Sequence, residues 1–234
     1  MFRKFINIFY PFTCPLCGEI LSGKRKICRE CEKSVKLIRE PKCQKCGKAL
    51  NTDERIYCND CKNRKRHFEQ GVAVFEHQGK LRESIYRFKY DNARFYAQYY
   101  AEETVKMYGT LFRKWKIDAI VPVPVHKVRE LKRGYNQALV FAEAVAERVD
   151  IPVEKRLMIR TKNTVPQKEL EGNMRYLNLQ NAFAVDCERI KGIQNILLVD
   201  DIFTTGSTVD ACSAILKKAG AKKVYVLCIS AGMD

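Results

Sequence analysis

Apolar positions in this chain follow two regimes. From residue 71 onward, continuous apolar runs occur at 71–76, 118–124, 196–199 and 223–230. Their length and β-branched content suit strands covered on both faces. Between them, 80–89, 95–111, 138–148 and 207–218 space their apolar residues as one helical stripe. Pro122 and Pro124 stop the second run, and Gly220 stands where a helix cap belongs. Strand and helix signals alternate, which predicts a parallel α/β sheet with helices on both faces. Ligands on such sheets bind beyond the carboxyl ends of the strands, so the ends at Pro124 and Asp200 are expected to share one crevice. Residues 1–67 lack this alternation and are organised by cysteine, so the division predicted is a small module over 1–67 and an α/β domain over 68–234.

The run from Asn195 to Val209 carries the sharpest chemistry. An apolar strand delivers the adjacent carboxylates Asp200 and Asp201 to its end. Thr204, Thr205, Gly206, Ser207 and Thr208 follow and open a helix. Backbone N–H groups of such a turn, the hydroxyls, and the positive end of the helix dipole together suit a phosphate. Carboxylates suit ribose hydroxyls. The expected ligand is therefore a sugar phosphate. The chain has no GxxxxGK[ST] run, which excludes a Walker-type nucleotide site.

Two further segments are expected as loops around this site. Residues 121–137 place Lys127, Arg129, Lys132 and Arg133 after a strand end, where they suit a pyrophosphate, with Gly134 permitting close backbone approach. The second holds Arg160, Gln167 and Arg175; it is polar and aperiodic between β-like pieces, and reads as a lid.

Eight of the eleven cysteines form four Cys-x-x-Cys pairs: Cys14/Cys17, Cys28/Cys31, Cys43/Cys46 and Cys58/Cys61. Two such knuckles complete a tetrahedron around Zn2+, and the regular spacing predicts two structural zinc ions. Spacing alone leaves the pairing open, either sequential (14/17/28/31 with 43/46/58/61) or interleaved. Four ligands per ion leave no open position for catalysis. So short a module has little core of its own, so metal binding should supply much of its folding free energy. Cys187, Cys212 and Cys228 are expected in a loop, a helix and a strand.

Charge sharpens the picture. The 234 residues carry 43 Lys and Arg against 27 Asp and Glu, a net +16. Residues 1–67 hold 17 of the basic and 7 of the acidic residues, so the cysteine module is several-fold more basic per residue. That excess suits a polyanion. Lys24, Arg25, Lys26, Lys62, Arg64, Lys65 and Arg66 supply charge for single-stranded DNA, with Phe12, Tyr57 and Phe68 as candidate stacking faces. No stretch approaches the ~20 apolar residues that span a bilayer, and the first twelve residues lack a signal-peptide cleavage pattern. The expected location is cytoplasmic, extending to the inner face of the membrane. His67, His77 and His126 form no ligand or catalytic set by spacing.

The 200–208 run resembles the phosphoribosyl-pyrophosphate (PRPP) motif of type I phosphoribosyltransferases. Together with the cysteine pairs, Lys89-Tyr90, the proline run at 122–124, the cluster from Arg133 to Gln137 and the series Arg160, Gln167, Leu170, Arg175, Asn178 and Phe183, it makes the whole chain similar to the ComF family of competence proteins. The resemblance implies a double zinc ribbon joined to a type I phosphoribosyltransferase-like fold. It implies that residues 204–208 hold a 5′-phosphate, that Asp200 and Asp201 hold ribose hydroxyls, and that Mg2+ accompanies PRPP. It further implies a role in the uptake of transforming single-stranded DNA, with a competence DNA-translocating ATPase or helicase as partner. Whether such a protein turns PRPP over is left open, with a metabolic salvage phosphoribosyltransferase as the alternative.

Overall fold

The computed structural model describes residues 13–21, 25–161 and 182–234. Its centre is a parallel sheet of β1 (Gly71–Glu76), β2 (Ala119–Pro122), β5 (Asn195–Phe203) and β6 (Lys223–Ala231), in the order β1-β6-β5-β2. β3 (Met158–Arg160) and β4 (Phe183–Val185) form a separate antiparallel pair. The apolar runs are continuous because helices cover both sheet faces. On one face, α3 (Gly79–Tyr90), α4 (Tyr96–Trp115) and α6 (Gln137–Val149) bury Phe88, Tyr100, Phe112 and Phe141 against Leu197, Val199, Leu227 and Ile229. On the other, α7 (Ser207–Lys218) packs Val209, Cys212 and Leu216 against Ile196, Leu198, Val226 and Cys228. Positions 196–199 of β5 thus alternate between the two layers, as the period of two requires.

The cysteine-rich segment is continuous with this core. It contains two short helices, α1 (Arg29–Ser34) and α2 (Asn59–Lys62). Cys14, Leu16 and Cys31 join the cluster on the α3 face, and Ile38, Cys43, Cys46, Leu50 and Cys58 join the one on the α7 face. The segment therefore straddles the β1 edge. Its middle pairs with that edge: Ile38 N donates to Val74 O at 2.9 Å, and Glu76 N to Lys36 O at 3.0 Å. An otherwise open strand edge is closed in this way. The approach is close, since a Cβ on Gly47 would lie 2.8 Å from Val72 Cα.

Three boundaries differ from expectation. The acid pair was expected at the end of a strand closing at Val199; β5 runs on to Phe203, because Ile202 and Phe203 still pair with Ser230 and Ala231 of β6. The segment expected as a loop over 121–137 contains α5 (Lys127–Arg133). His126 caps it by accepting from Val128 N at 3.3 Å, its residues are strong helix formers, and Gly134 ends it at φ +80°. α4 continues to Trp115, whose ring stacks on Tyr225 at 4.2 Å. Cys187, Cys212 and Cys228 lie in a loop, in α7 and in β6 as expected. Among the described residues, no helix is long and apolar enough to cross a membrane.

Candidate functional site

Successive residues of a strand face opposite sides, and Asp200 and Asp201 follow that rule. Asp201 turns toward α3, where Lys89 Nζ lies 2.8 Å from its Oδ2. Asp200 turns toward the α7 layer, within electrostatic reach of Arg160 and Cys212. One backbone bond ties the pair, from Asp201 N to Asp200 Oδ1 at 2.9 Å. Desolvation, and then the neighbouring Asp201 charge, push the Asp200 carboxyl up to about 7; the bond from Asp201 N, Lys89 and Arg160 oppose them. His77 lies near Lys89 and Asp201. Its Nδ1 lies 3.0 Å from Ser230 Oγ, and desolvation, then Lys89, hold it below its ordinary value.

Beyond β5 the chain reverses through Thr204, Thr205 and Gly206 into α7. Gly206 stands at φ +74°, and a Cβ there would lie 2.3 Å from the Phe203 ring, so both conformation and space require glycine. The helical ladder begins at Asp210 N, which donates to Gly206 O at 2.9 Å. The N–H groups before it at the helix start are outside that ladder. Thr205 Oγ1 and Ser207 Oγ lie 2.9 Å apart. Asp200, Thr204, Gly206, Ser207 and Thr208 line a hollow of about 20 Å³.

The turn is held from behind by residues just after the last cysteine pair. The Arg66 guanidinium, almost buried, donates to Thr205 O at 2.8 Å and to Asp60 O at 3.3 Å. His67 N donates to Asp210 Oδ1 at 2.6 Å, and its Nδ1 lies 3.2 Å from Oδ2. Phe68 meets Phe203 edge to face at 6.3 Å. Two sequence expectations are corrected here. Arg66 and Phe68 were candidates for contacting DNA; both are spent inside, because the second cysteine site docks on the turn after β5. Tyr57 remains exposed; Phe12 and Lys24 lie outside the described residues.

The basic residues expected around a pyrophosphate are only partly assembled. Arg129, half-buried on α5, and Arg160, at the end of β3, are close enough to influence one another, and Arg160 acts on Asp200. Arg160 also lies over the Phe183 ring at 5.3 Å. Lys127 is exposed on α5. Arg133 is drawn aside: it donates to Gln137 Oε1 at 2.9 Å and stacks over Tyr90 at 5.2 Å. Gly134 was expected to permit close backbone approach. Its nearest neighbour would be Arg94 Nη2 at 3.8 Å, and its role is to end α5. Gln167 and Arg175 of the expected lid lie outside the described residues.

The eight paired cysteines form two sequential groups, Cys14/17/28/31 and Cys43/46/58/61, with all sulfurs in a group within 4.8 Å of one another. The Cys17–Cys28 and Cys46–Cys58 sulfurs are 3.6 Å apart. A tetrahedron of Zn–S bonds of ~2.3 Å has edges of about 3.8 Å, so the groups fit zinc. The interleaved alternative is thereby removed. Among the described residues, these are the only groups of three or more possible ligands so gathered. The acid pair alone builds no cation cage; its oxygens fit Mg2+ only if a ligand brings further oxygens.

Lys89 had no role assigned from sequence, and Arg66 had the wrong one. The signal for Lys89 was its place in a Lys-Tyr pair at a helix end; for Arg66 it was adjacency to the last cysteine pair, which by itself does not tell burial from exposure.

Comparison with known proteins follows the same division. The family model "Double zinc ribbon domain" matches residues 5–62, and "Phosphoribosyl transferase domain" matches residues 135–233. Competence protein F of Haemophilus influenzae is 30% identical over 228 residues, covering 93% of this chain and 96% of that one. DNA utilization protein YhgH of Escherichia coli is 27% identical over 225 residues, covering 94% and 96%. Competence protein ComFC of Streptococcus pneumoniae is 27% identical over 234 residues, covering 90% and 96%.

Proposed function

The chain belongs to the ComF family of competence proteins, and from that premise we propose that it binds PRPP or a related ribose phosphate and acts on single-stranded DNA during uptake by transformation. The observation that carries the ligand half is one continuous stretch: two carboxylates near the end of a buried strand that closes at Phe203, then a turn whose amides and hydroxyls bound a hollow at the start of α7. That hollow has room for about one water-sized group, so the 5′-phosphate sits at its mouth, against Thr204, Thr205, Ser207 and Thr208. Asp200 and Asp201 accept from the ribose hydroxyls. Lys89, already on Asp201, keeps that carboxylate aimed.

Arg129 and Arg160, with Lys127 at the outer margin, neutralise the pyrophosphate, and Arg133 serves by fixing Tyr90. Asp200 and Asp201 would help to hold a Mg2+ that arrives with the donor, and the ion would supply further charge neutralisation. In a transfer reaction the bond from the anomeric carbon to the pyrophosphate oxygen breaks as a bond to the acceptor forms, and the acceptor's proton is lost. That proton leaves with the departing pyrophosphate or to water, and Asp200 and Asp201 take no part in its transfer. The metabolic alternative uses the same site with a free base as acceptor.

The DNA half rests on family membership and on the net charge of +16. A competence ATPase or helicase is the partner proposed, at the inner face of the membrane. The two halves are tested together in a transformable host. Replacing the gene with an Asp201→Asn allele is expected to lower transformation by single-stranded donor DNA at least about tenfold with protein level unchanged. Wild-type transformation from that allele contradicts a role for the site. Pyrophosphate release from PRPP with a free base, in a protein that binds no DNA, favours the metabolic alternative.

A further inference from the structure

A cavity of about 540 Å³ opens on the outer side of α3, lined by His77, Arg82, Tyr86, Lys89, Tyr90 and Ile202 among others. Lys89 is the residue paired with Asp201, and Ile202 also lies on the wall of the small hollow beside the phosphate turn. The cavity is thus the neighbour of the acid pair. Its floor is unusual for a helix surface. Arg82, Tyr86 and Tyr90 follow at intervals of four on one face, and all three are exposed; Tyr86 is 62% and Tyr90 46% accessible. The two tyrosine rings are 4.9 Å apart, and Arg133 is stacked on Tyr90 from α5. A solvated helix face needs no such arrangement. It presents two aromatic faces and a flanking guanidinium within a hollow larger than one nucleoside needs.

We propose that this cavity seats a nucleobase of single-stranded nucleic acid, stacked on Tyr86 and Tyr90, with Arg82 on the adjoining phosphate. The assignment rests on the DNA half of the function proposed above. Single strands are held by aromatic platforms beside positive charge, because every base offers a ring face. The same recognition places a base, or the sugar joined to it, next to the ribose-phosphate site. It also accounts for the exposed aromatics on α3; among the described residues of the cysteine segment, Tyr57 is the one exposed aromatic.

The test is fluorescence anisotropy of a labelled oligothymidine of about twelve nucleotides on the full chain, with zinc present. Its arms are the intact strand, the same strand without bases, and thymidine as competitor. Loss of one stacking contact is worth ~1–3 kcal/mol, so Tyr86→Ala is expected to weaken the intact strand at least about fivefold. Tyr86→Phe keeps the ring and should bind as wild type, and the abasic strand should bind wild type as weakly as the intact strand binds Tyr86→Ala. Unaltered binding by Tyr86→Ala, or equal binding of abasic and intact strands, overturns the proposal. So does competition by thymidine at concentrations equal to the strand's nucleotides, which makes the occupant a free nucleoside. PRPP binding, measured in parallel, should be the same in Tyr86→Ala and wild type; its failure in both leaves the strand-binding result standing by itself.

Discussion

Asp200 is a carboxyl held where its charge is disfavoured. Desolvation and Asp201 raise it to about 7 from an ordinary value of 3.8. The folded protein therefore keeps a proton that the unfolded chain has released over the interval between those values. Stability from the neutral form is complete below the lower value and is lost as pH rises through about 7. Asp200→Asn, neutral throughout, should flatten this fall; denaturant unfolding at stepped pH reads it, and parallel profiles for the two proteins would show that Asp200 is ionised in the fold. Ligand binding runs the other way. In the complex proposed above the carboxylate accepts from ribose hydroxyls, so binding should strengthen as pH rises across the same point. The sequence revealed the acid pair and Gly206, because strand, acids, hydroxyls and glycine are consecutive. Lys89 approaches from a helix more than a hundred residues away in sequence, and nothing local announces that pairing.

Among elements, the decisive contact joins the second cysteine site to the start of α7. Arg66 bridges Asp60 O and Thr205 O, and His67 grips Asp210. The turn proposed to meet the phosphate is thus braced by the cysteine-rich segment. Arg66→Ala strands two carbonyls and should cost ~2 kcal/mol of stability. It should also speed hydrogen exchange at Thr204–Thr208 while zinc content stays at two per chain; unchanged exchange in that turn would mean that Arg66 is only a surface tether. The alternation of strands and helices was legible from apolar spacing. α5 was not, because its seven residues leave Val128 and Leu131 exposed and so carry no buried stripe. Burial decides the fate of Arg66 and Phe68, and composition cannot distinguish a basic surface from a basic clamp.

For the whole molecule, the cysteine pairs predicted two zinc sites but not how deeply the segment enters the core. Its sulfurs and aliphatic residues belong to both hydrophobic clusters, and its backbone closes the β1 edge. Division near residue 67 is therefore a proposal about sequence, and the two parts share one interior. Deleting residues 1–67 should yield aggregated protein rather than a free-standing domain, since it bares both an apolar surface and a strand edge; a monomeric, cooperatively melting product in sedimentation would refute the shared core. The account as a whole turns on the pocket at the end of β5. Calorimetric titration of the zinc-loaded chain with PRPP and Mg2+ should give one saturable site, weakened at least about tenfold in Asp201→Asn. Heat that is absent with wild type, or identical in the variant, would contradict it.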